Sequence, residues 1–250
     1  MITNKIILLR HGQSTWNLEN KFTGWMDVDL TERGIKEAMY AADEILNNNI
    51  IVDTIYCSIL NRAVQTAKIV ADKIGYPLNE IAYDWHLNER HYGNLQGLNK
   101  SETAKKYGED QILVWRRSFD IPPPLLKKND KRCASNIKKF ADLNIDLPKG
   151  ESLKNVIKRM DPFLKSYMKF VNSNKNNNHL IVAHSNSLRA IMMVLEKFSK
   201  EEIVSINIPT GVPLVYELDR EFNVLSKRFL IDKKELENKQ NEIINQGKIR

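Results

Sequence analysis

Near its start the chain runs through Lys5-Ile6-Ile7-Leu8-Leu9 and stops abruptly at Arg10-His11-Gly12. An apolar run of that length, flanked by polar loop residues, predicts a strand buried on both faces. Thr31 is a capping residue, and Ile35, Met39, Ala42 and Leu46 recur every three or four positions before Asn47-Asn48-Asn49. That spacing predicts an amphipathic helix. The same alternation returns at 51–56, a second apolar run, followed by Ala63, Ala67, Val70, Ala71 and Ile74 at helical spacing and a stop at Gly75 with Pro77 beyond. It returns again at Leu180-Ile181-Val182-Ala183, which leads into His184 and a helical pattern over 188–195; a further strand is predicted at 214–218. Strands alternating with helices predict an α/β fold, a three-layer α/β/α arrangement around a mostly parallel central sheet. In such sheets ligands bind beyond the carboxyl ends of the strands. Here those ends carry Arg10-His11, the stretch from Ser58 to Arg62, and His184.

The rhythm breaks between 89 and about 145, which we read as an insertion within one domain spanning 1–250. The stretch 232–250 is rich in Lys, Glu, Gln and Asn, and predicts a mobile tail or a helix that orders over the site. The whole chain has 250 residues, 42% of them apolar, enough for a sizeable core. Its longest uninterrupted apolar run, Ala190 to Leu195, is six residues, against roughly 20 for a membrane span. The first residues lack a signal-peptide pattern, so a cytoplasmic protein with no membrane partner is expected. Two cysteines, Cys57 and Cys133, allow at most one disulfide and no CxxC metal pair; reduced thiols are expected.

Net charge is +7, a balance compatible with nucleic-acid binding. The excess is uneven: Lys127, Lys128, Lys131, Arg132, Lys138 and Lys139 face a single acid, Asp130, in one stretch after Pro122-Pro123-Pro124. With no interleaved aromatics to stack on bases, the stretch reads as a solvated loop or as a segment closing over an anionic ligand, and no nucleic-acid partner is expected.

Two of the five histidines, His11 and His184, end predicted strands. An imidazole held in one tautomer is a competent nucleophile, and arginines at nearby strand and turn ends point to phosphorus as its electrophile. Arg10, Arg62, Arg90, Arg116 and Arg117 each offer a planar fork matched to phosphate oxygens. Glu89, near Trp85 and Tyr92, suits a general acid or base; the plainer alternative is an ion pair with Arg90. No HExxH, calcium-loop or Walker pattern occurs, so no metal is expected.

Leu9-Arg10-His11-Gly12-Gln13-Ser14 matches the RHG signature of the histidine phosphatase superfamily. Trp16-Asn17, Phe22-Thr23-Gly24-Trp25, Asp29-Leu30-Thr31, Glu89-Arg90-His91-Tyr92-Gly93, Trp115-Arg116-Arg117-Ser118, Gly150-Glu151-Ser152-Leu153, Asn186-Ser187-Leu188-Arg189 and Pro209-Thr210-Gly211 follow in order. Together they resemble the cofactor-dependent phosphoglycerate mutases over roughly 5–230. The resemblance implies interconversion of 3- and 2-phosphoglycerate, with 2,3-bisphosphoglycerate as primer and intermediate, in a homodimer or homotetramer; a bisphosphoglycerate synthase/phosphatase is the alternative. It also implies that His11 is phosphorylated, that His184, Arg10 and Arg62 stabilise the phosphoryl group, and that Glu89 moves the hydroxyl proton. Substrate contacts are implied for Gly12, Gln13, Ser14 and Thr15, through backbone amides, and for Asn17, Thr23, Gly24, Arg90, Tyr92, Lys100, Arg116, Arg117, Ser185 and Asn186. The chain departs from the family at Ser185, where glycine is usual. If that position needs a left-handed backbone, serine there is strained.

Overall fold

The computed structural model describes residues 4–141, 143, 145–173, 177–219, 221–245 and 248; the end of the predicted tail, at 246–247 and 249–250, lies outside the described residues. In chain order the elements are β1 (Asn4–Arg10), α1 (Thr15–Leu18), α2 (Glu32–Asn47), β2 (Thr54–Cys57), α3 (Asn61–Ile74), β3 (Ala82–Tyr83), α4 (Lys100–Tyr107), α5 (Glu109–Arg117), α6 (Lys138–Ala141), α7 (Leu153–Ser173), β4 (Asn178–Ala183), α8 (Ser185–Glu196), α9 (Lys200–Ser205), β5 (Pro213–Leu218), β6 (Val224–Phe229) and α10 (Lys233–Ile244). One sheet has the order β3-β2-β4-β1-β5-β6. β1, β2, β3 and β4 are mutually parallel, whereas β5 runs antiparallel to both β1 and β6.

The central strands alternate between two cores. Ile6 and Leu8 of β1, Ile181 and Ala183 of β4, and Leu214, Tyr216 and Leu218 of β5 face one core, closed by Val156, Met160 and Tyr167 of α7 and by Leu188 and Ile191 of α8. Ile7, Leu9, Leu180, Val182 and Val215 face the other, closed by Ala41, Ala42 and Ile45 of α2 and Ala63, Ala67, Val70 and Ala71 of α3. Each aliphatic side chain buried this way contributes about 1.5–3 kcal/mol. β1 sits in the middle with both faces covered, so Arg10 and His11, which follow its buried run, are set by the least deformable part of the molecule.

The expected helices and strands are present, with three corrections. α2 is capped by Thr31, whose hydroxyl accepts from Gly34 N, but its core stripe is Ala38, Ala41, Ala42 and Ile45; Ile35, Met39 and Leu46 are exposed. Small alanines are needed on the inner face because α2 packs closely on α3. β3 and β6 were not expected: β3 is two residues long, and β6 is an edge strand whose middle, Leu225 to Arg228, is exposed, so neither carries an apolar run. The basic stretch is no free excursion. Leu126, Cys133, Ala134 and Phe140 are buried, and Arg132 donates to Asp130 and to the carbonyls of Asn94 and Gln96. Both cysteines are free and buried. No helix among the described residues is long and apolar enough to cross a membrane.

Candidate active site

Beyond the carboxyl ends of β1 and β4 lies a cavity lined by Arg10, His11, Asn17, Lys21, Thr23, Gly24, Arg62, Glu89, Tyr92, Lys100, Arg116, Arg117, Ser185, Asn186, Arg189 and Ile243. Seven of these are basic and one, Glu89, is acidic. β1 delivers Arg10 and His11, the first turn of α3 delivers Arg62, α4 and α5 deliver Lys100, Arg116 and Arg117, and the start of α8 delivers Ser185, Asn186 and Arg189.

His11 is buried, and its Nδ1 lies 2.7 Å from the carbonyl of Gly12. A carbonyl only accepts, so Nδ1 carries the proton and Nε2 keeps its lone pair. Arg62 Nε points at that Nε2 from 3.3 Å, while its other nitrogens donate to the carbonyls of Met26 and Gly24. Burial, reinforced by the charges of Arg62 and Arg10, holds His11 well below the usual histidine range. The imidazole is therefore neutral at pH 7, as a nucleophile must be.

The ring of His184 lies 4.9 Å from that of His11, tilted by 58°. Burial, then Arg62, push it in the same direction. Its Nε2 is 2.8 Å from Ser58 Oγ, which is in turn 2.8 Å from Asn88 Oδ1. His184 does not itself line the cavity; it stands behind His11.

Glu89 Oε1 accepts from the backbone N–H groups of Arg90, at 2.7 Å, and Asn186, at 3.2 Å, leaving Oε2 for the cavity that the residue lines. The ion pair with Arg90 does not form. The Arg90 guanidinium stacks 4.7 Å over the Tyr92 ring and donates to the carbonyls of Trp115 and Arg116, so Arg90 supports the wall made by Tyr92 and Arg116. Although burial pushes the Tyr92 phenol up, Arg90 more than offsets it and the net shift is downward. Lys100 is held well below the usual lysine range by burial and then by Arg116, Arg10 and Arg117. Burial and Arg116 push Arg117 down to about 10; Asn207 Oδ1 accepts from it at 2.6 Å.

Two expectations are corrected. The amides of residues 12–15 form no cradle: Gly12 N donates to Thr66 Oγ1, Gln13 N to Glu37 Oε2, Ser14 N to Asn17 Oδ1 and Thr15 N to the carbonyl of Asp29. Gly12 instead allows close packing, since a Cβ there would lie 2.2 Å from the carbonyl oxygen of Gly34. Ser185 begins α8 and is not among the described residues with a left-handed backbone, so serine introduces no strain. None of the lysines and arginines of the basic stretch lines the cavity; Lys139 pairs with Asp27 instead.

Three lining residues were not singled out from sequence. Lys21 follows α1 in a polar loop, Arg189 is fixed by its bonds to Asn186 Oδ1 and the carbonyl of Ile203, and Ile243 belongs to α10. That helix is the ordered form of the predicted tail. Lys239 reaches Glu37 and Glu242 reaches Arg33, fastening it across the mouth.

A family model for the histidine phosphatase superfamily (branch 1) matches residues 6–228. The chain belongs to the histidine phosphatase superfamily. Within it, the chain is 47% identical over 245 residues to the 2,3-bisphosphoglycerate-dependent phosphoglycerate mutase of Treponema denticola, covering 98% of this chain and 99% of that one. It is 46% identical over 245 residues to the enzyme of the same name from Bacteroides fragilis, with 98% of each covered. Membership of this superfamily extends to the fold: the solved structure called mycobacterial hydrolase 1 superposes with a TM-score of 0.69 at 20% identity, over 92% of this chain and 97% of that chain.

Proposed function

We propose that this chain is a phosphoglycerate mutase that interconverts 3-phosphoglycerate and 2-phosphoglycerate through a phosphohistidine at His11. The observation that carries the reading is the His11 imidazole, neutral and with its Nε2 lone pair free, at the floor of a buried cavity with seven cations. Bound 2,3-bisphosphoglycerate supplies the phosphoryl group that primes His11. The residues fit such a ligand: each phosphate carries roughly −1.5 to −2 at pH 7, and two phosphates with a carboxylate match this many cations where one phosphate would not.

His11 Nε2 attacks phosphorus while Nδ1–H stays on the Gly12 carbonyl, which steadies the ring as positive charge builds on it. Arg62 and Arg10 offer donors to the equatorial oxygens, where negative charge spreads in the transition state. Glu89 Oε2 takes the proton from the attacking hydroxyl and returns it to the leaving one. Arg116, Arg117 and Lys100 hold the anionic group distant from His11. α10 excludes water, protecting the phosphohistidine from hydrolysis.

The test is a coupled assay of 3-phosphoglycerate to 2-phosphoglycerate, with and without 2,3-bisphosphoglycerate and with EDTA throughout. Primer-dependent isomerisation that the chelator leaves untouched, and its loss together with the phosphoenzyme in His11→Ala, is the expected result. Steady phosphate release without isomerisation overturns the reading in favour of a phosphatase.

A further inference from the structure

Behind the cavity, three buried polar side chains form a row: Asn88, Ser58 and His184. All three are fully buried, so every proton in the row has to be accounted for. A serine hydroxyl has one proton to give. If Ser58 donates to Asn88 Oδ1, then His184 must donate from Nε2, and its Nδ1 carries only a lone pair. That arrangement leaves the Asn88 Nδ2 amide buried without an acceptor, and His184 Nδ1 buried without a partner, among the described residues. Both defects sit at the two ends of one row.

A half-turn of the Asn88 amide exchanges two ends of the same shape. Nδ2–H then donates to Ser58 Oγ, the Ser58 hydroxyl donates to His184 Nε2, and the single imidazole proton of His184 resides on Nδ1. The orphan donor at Asn88 becomes an under-used carbonyl, which buried environments tolerate better than an unpaired N–H. At the other end, the unpartnered Nδ1 becomes a donor, the only neutral form of this ring that can face a phosphoryl oxygen favourably.

We propose that Ser58, oriented by Asn88, is a positioning residue that sets the tautomer of His184 to Nδ1–H and so makes it a hydrogen-bond donor to the phosphoryl group on His11. The use of that donor rests on the mutase reading; the tautomer does not. The same logic explains why His184 need not be charged. With Arg62, His11 and Arg10 around it, a second cation is unfavourable in the empty site, and a neutral ring with a directed N–H supplies the contact without it. His11 and His184 then hold the same tautomer by different means, a carbonyl at Nδ1 for one and a hydroxyl at Nε2 for the other, and present opposite characters to phosphorus: a lone pair and a donor.

The tautomer is read by long-range proton–nitrogen NMR of histidine-labelled chain at pH 7.5, free of phosphate. Nδ1–H on His184 is expected in the wild type, with the preference lost in Ser58→Ala. Kinetically, Ser58→Ala is expected to lower the rate of phosphoryl transfer to His11 by about 10²-fold at saturating primer, the scale for losing one oriented donor, with KM little changed; Ser58→Thr, which keeps the hydroxyl, restores most of it. Nε2–H on His184 in the wild type overturns the proposal even if Ser58→Ala fails to fold, and so does wild-type turnover in a folded Ser58→Ala chain. Nδ1–H in a chain that never isomerises phosphoglycerate supports the row and refutes the mutase reading.

Discussion

Replacing Arg159 with methionine tests how the loop bearing Glu89 is held. Arg159 projects from α7, and its Nε donates to Glu151 Oε1 at 2.7 Å, its Nη1 to the carbonyl of His86 at 2.6 Å and its Nη2 to the carbonyl of Asn88 at 3.0 Å and, at 3.3 Å, to that of Glu89. The guanidinium also lies 5.4 Å over the Trp25 ring. Both charged partners are nearly inaccessible, at 7% and 4% exposure, so solvent screens the pair little. Methionine keeps the bulk but strands the Glu151 carboxylate, and breaking one side of a buried pair costs about 3–5 kcal/mol. Against a native stability of about 5–15 kcal/mol, that is a large fraction. Glu151 Oε2 also accepts from His91 N at 2.8 Å, so Glu151→Gln removes the stranded charge and keeps that acceptor. The double variant should therefore regain about 2 kcal/mol over Arg159→Met alone, leaving the carbonyls' lost donors as the remaining deficit. Urea unfolding of the four chains measures this cycle. A single variant that loses less than about 1 kcal/mol, or a double variant no more stable than the single, refutes the reasoning. Because the carbonyls of Asn88 and Glu89 lose their anchor, kcat should fall in Arg159→Met more than KM rises.

Glu89→Gln should still accept phosphate on His11 but pass it on about 10²–10⁴-fold more slowly, seen as phosphoenzyme accumulating in rapid-quench experiments; unimpaired turnover would assign the proton to another group. Burial and neighbouring cations depress His11, His184 and Lys100 in the unliganded site. A polyanion opposes those fields and raises all three, so binding of 2,3-bisphosphoglycerate should take up protons and weaken as pH rises; calorimetric enthalpies that do not change with buffer ionisation heat would contradict this. Away from the site, burial lowers His91 to about 3 and His179 to about 4, against about 6.5 in an unfolded chain. The unfolded state then binds more protons between those limits, so stability should decline as pH falls from 6.5 towards 4, and a flat urea midpoint over that range would show that these rings are protonated in the fold.

Much of this architecture is legible in the sequence because the parallel strands bury both faces and read as unbroken apolar runs. Ile6 to Leu9 and Leu180 to Ala183 left no other interpretation, and the reactive residues immediately after them inherit their position from the strand. The α2 stripe was misread because its inner face is built of alanines, while the larger Ile35 and Met39 lie outside. Hydrophobicity ranked by size pointed to the wrong side. Lys100 and Arg116 sit in a polar segment of ordinary surface character, and only the family resemblance distinguished them from solvated charges. Arg159, Arg189 and Lys21 carried no signal of either kind, since what makes them matter is the set of carbonyls and side chains that distant segments bring to them. The amides of 12–15 show the converse: a motif identifies the segment without saying which of its atoms face the ligand.

The two antiparallel pairings at one side of the sheet decide where the chain can be extended. β5 descends from the site end and β6 climbs back to it, with Phe229 opposite Leu214 and Leu214 opposite Leu8, so the polypeptide leaves the sheet beside Arg10, and α10 begins four residues later at Lys233. β1, by contrast, enters from the far side at Asn4. An affinity tag, a fluorophore or a fused partner attached ahead of β1 is carried away from the chemistry, whereas one placed after α10 hangs at the doorway through which substrate passes. Immobilisation by the leading end should thus leave turnover intact, and anchoring by the trailing end converts the surface into an obstacle.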